Sequence, residues 1–238
     1  MVRYSSRKLL LNRRWILVVL VAALVGAVML YTANEGEGTL DQGSTLLNTL
    51  VLSFMLPILS LIYGASMIRN EIDDRSITQV VTSPLDRRAS YLGYYLSLGM
   101  VLAIMLFLIG LVGWACFFLP AGVNSEALEM LLSYSFLLVL GSFVYSSLFL
   151  AMGVVLKQPI YLGLLYAFVW EGFVGQLPGA IGKMTIIYYL KVIGAELIPY
   201  GNITDFSNGV GVAAVVLLGL TAVLLFAGAW AFREKELP

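Results

Sequence analysis

Six uninterrupted apolar runs, near 15–31, 46–68, 91–118, 130–156, 159–177 and 209–232, dominate this chain of 238 residues. Each is long enough, or nearly so, to cross a hydrocarbon core that needs roughly 20 helical residues. Five of the six contain no charged residue. The runs are continuous and lack period-two alternation, so they read as helices rather than barrel strands, since only a helix satisfies its own backbone within one segment. With 60 % hydrophobic and 12 % charged residues, the chain lies far from soluble globular composition. The expectation is an all-α membrane protein of six transmembrane helices forming a single domain over residues 1–238. The first run is too long, and followed by too many others, to read as a cleaved signal peptide.

Net charge is zero, but the charges are unevenly placed. Six crossings put both termini and the 69–90 and 157–158 loops on one side. That side carries Arg3, Arg7, Lys8, Arg13, Arg14, Arg69, Arg75, Arg87, Arg88, Lys157, Arg233 and Lys235; the other carries only Lys183 and Lys191 among basic residues. The bias places both ends in the cytoplasm by the positive-inside rule. Topology and attraction to lipid phosphates account for the basic residues, with no need for a nucleic-acid partner. Cys116 is the single cysteine and histidine is absent, which excludes disulfide frameworks, Cys- or His-based metal sites, histidine triads and histidine proton relays.

Several local features follow. Arg3, Arg7 and Arg14 share one helical face in the segment before the first run, which suits a basic helix lying along the membrane interface. Pro57 should kink the second span. In the fourth run Ser135, Ser142, Ser146 and Gly153 fall on one helical line, read first as a packing seam and second as part of a polar substrate path. Glu171 is the one charge deep in a run, placed in the outer half of the membrane. An intramembrane carboxylate is a functional-site hypothesis; the competing reading is a fastening that pairs with Lys183, Lys191 or a tyrosine. Between the fifth and sixth runs, Ile186, Tyr189, Leu190, Ile193 and Leu197 mark a helical face bounded by Pro178 and Pro199, which predicts one or two short outer helices, interfacial or re-entrant.

Residues 69–88 are a polar island between the second and third runs, with eight of the chain's 28 charged residues. Its physics suits a short helix parallel to the membrane, broken at Ser83-Pro84, that receives a push from a soluble partner. A plain solvated loop is the alternative. With Glu71, Ser76, Thr82-Ser83-Pro84, Arg87 and Gly93, the island resembles the loop between the second and third spans of ABC-2 type transporter permeases, particularly prokaryotic ones of the NosY-like kind. Six spans, the basic leading helix, Trp170-Glu171 and the elaborated outer segment extend the resemblance. It departs from the family pattern at Arg75-Ser76, where glycine precedes threonine, and at Tyr94, where lysine is usual.

The resemblance implies that the island is a coupling helix seated in a soluble ATP-binding subunit. Glu71, Asp73, Asp74, Arg75 and Ser76 would then contact the ATPase, Pro84 would fix the loop exit, and Arg87 and Arg88 would anchor at headgroups. It further implies a second permease chain, identical or related, in the plasma membrane of a prokaryote, and export by alternating access. The chain contains no G-x-x-x-x-G-K-[ST] loop, so ATP and Mg are expected in the partner, with no cofactor or metal bound here and no catalysis by this chain. A secondary transporter that moves a proton or sodium on Glu171 is the alternative. A lipid-modifying membrane enzyme is a poorer third, without histidine or a carboxylate cluster.

Overall fold

The computed structural model describes residues 15–35, 38–73, 87–176, 181–200 and 209–234. Among them every regular element is helical. Helix α1 (Trp15–Glu35) is followed by α2 (Leu40–Leu46), a π-helical segment (Leu47–Met55) and α3 (Leu56–Asp73), which run on without a break. Then come α4 (Arg87–Ala121), α5 (Ser125–Val155) and α6 (Pro159–Leu165), the last continuing into a second π segment (Tyr166–Phe173) and a 3-10 turn (Val174–Gln176). A further 3-10 turn (Gly182–Met184) leads into α7 (Ile186–Leu197), and α8 (Val210–Glu234) closes the chain.

Five of these helical stretches are long and apolar enough to cross a membrane: Ile16–Glu35, Leu40–Met67, Ala89–Pro120, Ser125–Val155 and Val210–Arg233. The fifth expected run, 159–177, is different. Its continuous apolar helix covers only Pro159–Phe173 and ends in a single 3-10 turn. At Pro57 the helix carries a π segment on its N-terminal side. The π segment ends two residues before it, and the Leu56 amide bonds to the Val51 carbonyl, five residues back. Wider turns are one way for a helix to accept a ring that lacks an N–H and clashes with the preceding turn. The basic segment 3–14 and island residues Asp74, Arg75, Ser76 and Pro84 lie outside the described residues. The backbone is helical at Glu71 and Asp73, which end α3, and at Arg87 and Arg88, which begin α4.

Helix α5 is the centre of the bundle and the most buried of the long helices, whereas α1 and α8 face outward over most of their length. Leu20, Leu24, Val215, Leu218 and Phe226 are exposed there, as suits side chains in contact with lipid. Small residues set the closest approaches. Gly26 of α1 lies against Val112 and Cys116 of α4, and Gly113 of α4 against Val25. Between α3 and α5, a Cβ on Gly64 would come within 2.8 Å of the Phe149 Cβ, and one on Gly153 within 3.2 Å of the Ala65 carbonyl oxygen. The turn from α4 to α5 is tight: Gly122 has φ +91°, open to glycine, and the Asn124 side chain caps α5 by accepting the Ala127 amide at 3.1 Å.

Candidate functional site

The fifth run buries one residue in four. Pro159, Gly163, Ala167 and Glu171 are buried, while the residues between them are exposed, apart from half-buried Tyr166. The small side chains at 163 and 167 let this face press on α3, where a Cβ on Gly163 would collide with Leu61. Glu171 continues the same buried face and is only 2 % exposed. Its carboxylate has three donors. The Tyr166 hydroxyl donates to Oε1 at 2.5 Å, the Ile186 amide to Oε1 at 3.1 Å and the Ile187 amide to Oε2 at 3.0 Å. Ile186 and Ile187 are the first two residues of α7, so the carboxylate sits on the positive end of that helix. Thr185 completes the cap, its Oγ1 accepting the Tyr188 amide at 3.4 Å and donating to the Gly182 carbonyl at 2.8 Å.

Tyr145 of α5 approaches the same carboxylate closely enough for electrostatic interaction. The Ser60 and Ser146 hydroxyls are fully buried and make no hydrogen bond among the described residues. Lys191 lies within reach of the Glu171 charge as well. Of the expected lysine and tyrosine partners, Tyr166 bonds the carboxylate, and two backbone amides join it. Sequence reasoning missed Tyr166, Thr185 and the amides. Thr185, a capping residue directly before the Ile186 face, was the available signal for the helix start.

Helix α7 lies antiparallel along α5. A Cβ on Gly141 would contact Leu190 at 3.1 Å, one on Gly194 would contact Leu137 at 3.1 Å, and the Ser133 hydroxyl donates to the Leu197 carbonyl at 3.3 Å. Ile186, Leu190 and Ile193 are buried as their spacing predicts, but Leu197 is 42 % exposed, and Ile187 and Val192 join the buried set instead. The α7 N-terminus meets α5 near Tyr145, about 15 Å from the Val155 end at 1.5 Å per residue. This level lies on the Val155 side of the midpoint of α5.

A second set of contacts holds the other end of α7. The Ser44 hydroxyl donates to the Tyr200 carbonyl at 2.8 Å, and the Tyr134 hydroxyl donates to the Ser44 carbonyl at 2.8 Å. Desolvation raises the Tyr200 hydroxyl above its ordinary pKa, and the hydrogen bond and charge of Glu126 and the charges of Glu129 and Asp41 add to the rise.

On the serine line of α5, the buried Ser146 hydroxyl has no hydrogen bond among the described residues, and the other two serines bond within their own helix. Ser135 and Ser142 donate to the Leu131 and Leu138 carbonyls, each at 2.6 Å and four residues back on their own helix. Gly153 sits against the α3 backbone. Among the described residues no group of three or more Cys, Asp or Glu is arranged to hold a metal.

Residues 8–175 match the ABC-2 family transporter protein family. This chain belongs to the ABC-2 family. The match contains the charged island, the serine line and Glu171, and ends at the turn that leads toward α7. The chain is also 27 % identical over 194 residues to the probable ABC transporter permease protein NosY of Stutzerimonas stutzeri, covering 79 % of this chain and 64 % of that relative. It therefore spans slightly less than two thirds of the relative's length.

Proposed function

We propose that the chain is the membrane-spanning permease subunit of an ATP-driven transporter in a prokaryotic plasma membrane, with its termini in the cytoplasm. The observation that carries the reading is the family match across the island and the helices on either side of it. A separate ATPase would bind the 69–88 loop, and a second permease chain would complete the substrate path. Closure of the ATPase pair would move the two loops and alternate access to the path, most simply for export. ATP and Mg belong to the partner in this reading.

The polar segment begins in the last turn of α3 and ends in the first turn of α4, both embedded in the bundle. A push delivered at residues 69–88 therefore enters two long helices at once. We also read α6, its π segment and α7 as one discontinuous crossing, the fifth of six. The first part climbs to the middle of the bundle and α7 completes the path along α5. Broken helices of this kind place a helix terminus, with its unsatisfied amides, inside the membrane. In other transporters such a terminus can receive an anion; here Glu171 occupies it. The engagement of both Glu171 oxygens supports a positioning role over that of an ion carrier.

The test is a mild-detergent pull-down of the tagged chain from its native membrane. A near-equimolar ATP-binding subunit should co-purify, and the Glu71→Ala, Asp74→Ala double substitution should lower its yield about tenfold, as for lost charge-assisted contacts, without changing membrane insertion. Recovery of the chain alone would overturn the reading. Undiminished ATPase recovery with the double variant would overturn the role given to the acidic cluster.

A further inference from the structure

The Tyr166–Glu171 bond joins residues five apart, which an α-helix does not bring together. At 100° per residue, such positions point about 140° apart. A π-helix closes its hydrogen bonds between i and i+5, so those residues come nearly into line. The burial pattern carries the same signature independently. Pro159, Gly163, Ala167 and Glu171 keep one buried face at a spacing of four. Over those twelve residues an α-helix would drift by about 120°, turning the carboxylate away from the face that Pro159 buries. Only the wider turns of Tyr166–Phe173 bring Glu171 under the first two amides of α7.

We propose that Tyr166–Phe173 is a register switch, held in its π form by the clasp that joins Tyr166, Glu171 and the N-terminus of α7. In this form Glu171 accepts from all three donors, and α7 is fastened along α5. When the Tyr166 bond breaks, the segment returns to α register, Glu171 rotates off the Ile186 and Ile187 amides, and α7 is released at its deep end. Just beyond the segment, Gly175 packs closely on α7, where a Cβ would come within 3.0 Å of the Ile187 side chain.

The switch also touches the second span. Phe168, within the segment, packs edge-on against Phe54 at 5.8 Å between ring centroids, and Phe54 belongs to the other π segment. That segment continues into α3 and so toward residues 69–88. A shift of α3 along its axis would bear on Phe168 and hence on the register. This consequence for transport rests on the permease reading, whereas the switch itself rests on geometry and can be tested without transport.

The experiment is amide hydrogen–deuterium exchange on the full chain in phospholipid nanodiscs, comparing the native protein with Tyr166→Phe. Removing one hydroxyl should speed exchange about tenfold, as for loss of a bond to a charged acceptor, in peptides from 166–173 and from 186–190 together. Peptides from Ser125–Val155 should keep native rates. Native rates in either the 166–173 or the 186–190 peptides would overturn the proposal, because a simple helix cap on Glu171 would survive loss of Tyr166. If Tyr166→Phe fails to fold, shown by lost protection across Ser125–Val155, the native protein decides the matter. Its two segments should open with one shared rate under conditions in which every opening leads to exchange. Two distinct rates would overturn the switch.

Discussion

The two ends of α7 are held by opposite chemistry. At the deep end a carboxylate that is 2 % exposed accepts two backbone amides and a tyrosine hydroxyl. At the outer end neutral groups suffice: the Ser133 hydroxyl on the Leu197 carbonyl, and the Ser44 and Tyr134 hydroxyls on the carbonyls of Tyr200 and Ser44. Three acidic residues, Glu126, Glu129 and Asp41, even lie within electrostatic reach of Tyr200 near the helix's negative end. That placement opposes the helix dipole and is affordable only where water screens it. In the interior, water cannot take over an unpaired amide and the dielectric is low, so the positive end requires a fixed acceptor. The difference teaches that the single charge of the fifth run serves a helix terminus buried inside the protein, where water does not reach.

The sharpest way to break the contrast is Glu171→Ala. It strands the Ile186 and Ile187 amides and the Tyr166 hydroxyl without their acceptor. An unsatisfied buried donor costs about 1–3 kcal/mol, so the variant should lose on the order of 3 kcal/mol of stability. Thermal unfolding of the purified protein measures this. A loss below that of any outer-end variant would refute the claim that the deep end carries the greater demand.

An intermediate effect belongs to Tyr134→Phe. Its hydroxyl is buried, donates to the Ser44 carbonyl at 2.8 Å and lies 3.1 Å from the Ser44 hydroxyl. Losing it removes one neutral bond and leaves the carbonyl with room for other donors. The expected cost is about 1 kcal/mol, read from the same unfolding curves. A penalty as large as that of Glu171→Ala would mean that neutral contacts hold the outer end as firmly as charge holds the deep one.

Much of this asymmetry was hidden in the sequence for identifiable reasons. The long helices were legible because a continuous apolar run has one stable form in a bilayer. The α7 face was legible from Ile186, Leu190 and Ile193, and Glu171 stood out as the one charge inside a run. Its partners did not stand out. Two are backbone amides, which every residue carries, and Tyr166 sits at an offset of five, which an α-helical reading assigns to another face. The π segments themselves leave no hydrophobic signature, although the buried spacing of Pro159, Gly163, Ala167 and Glu171 is compatible with one in retrospect. The Ser44–Tyr134 contact joins residues 90 apart in the chain and depends on how α2 meets α5. The charged island was the plainest compositional feature, but most of it falls outside the described residues, so its fit to an ATPase rests on the family match and on the pull-down.

The smallest effect should come from Ser133→Ala. The hydroxyl of half-buried Ser133 donates to the Leu197 carbonyl at 3.3 Å in a solvent-exposed bond, so water can replace it as soon as it is lost. Substitutions of this kind usually stay within about 0.5 kcal/mol. The unfolding curve of Ser133→Ala should therefore overlay the native one, and exchange at Ile186 and Ile187 should be unchanged, because the deep end would remain clasped. A clear loss of stability would place Ser133 in a dry environment. The outer end of α7 would then lie within the hydrocarbon rather than at its edge, and the contrast between the two ends would no longer be one between water and lipid.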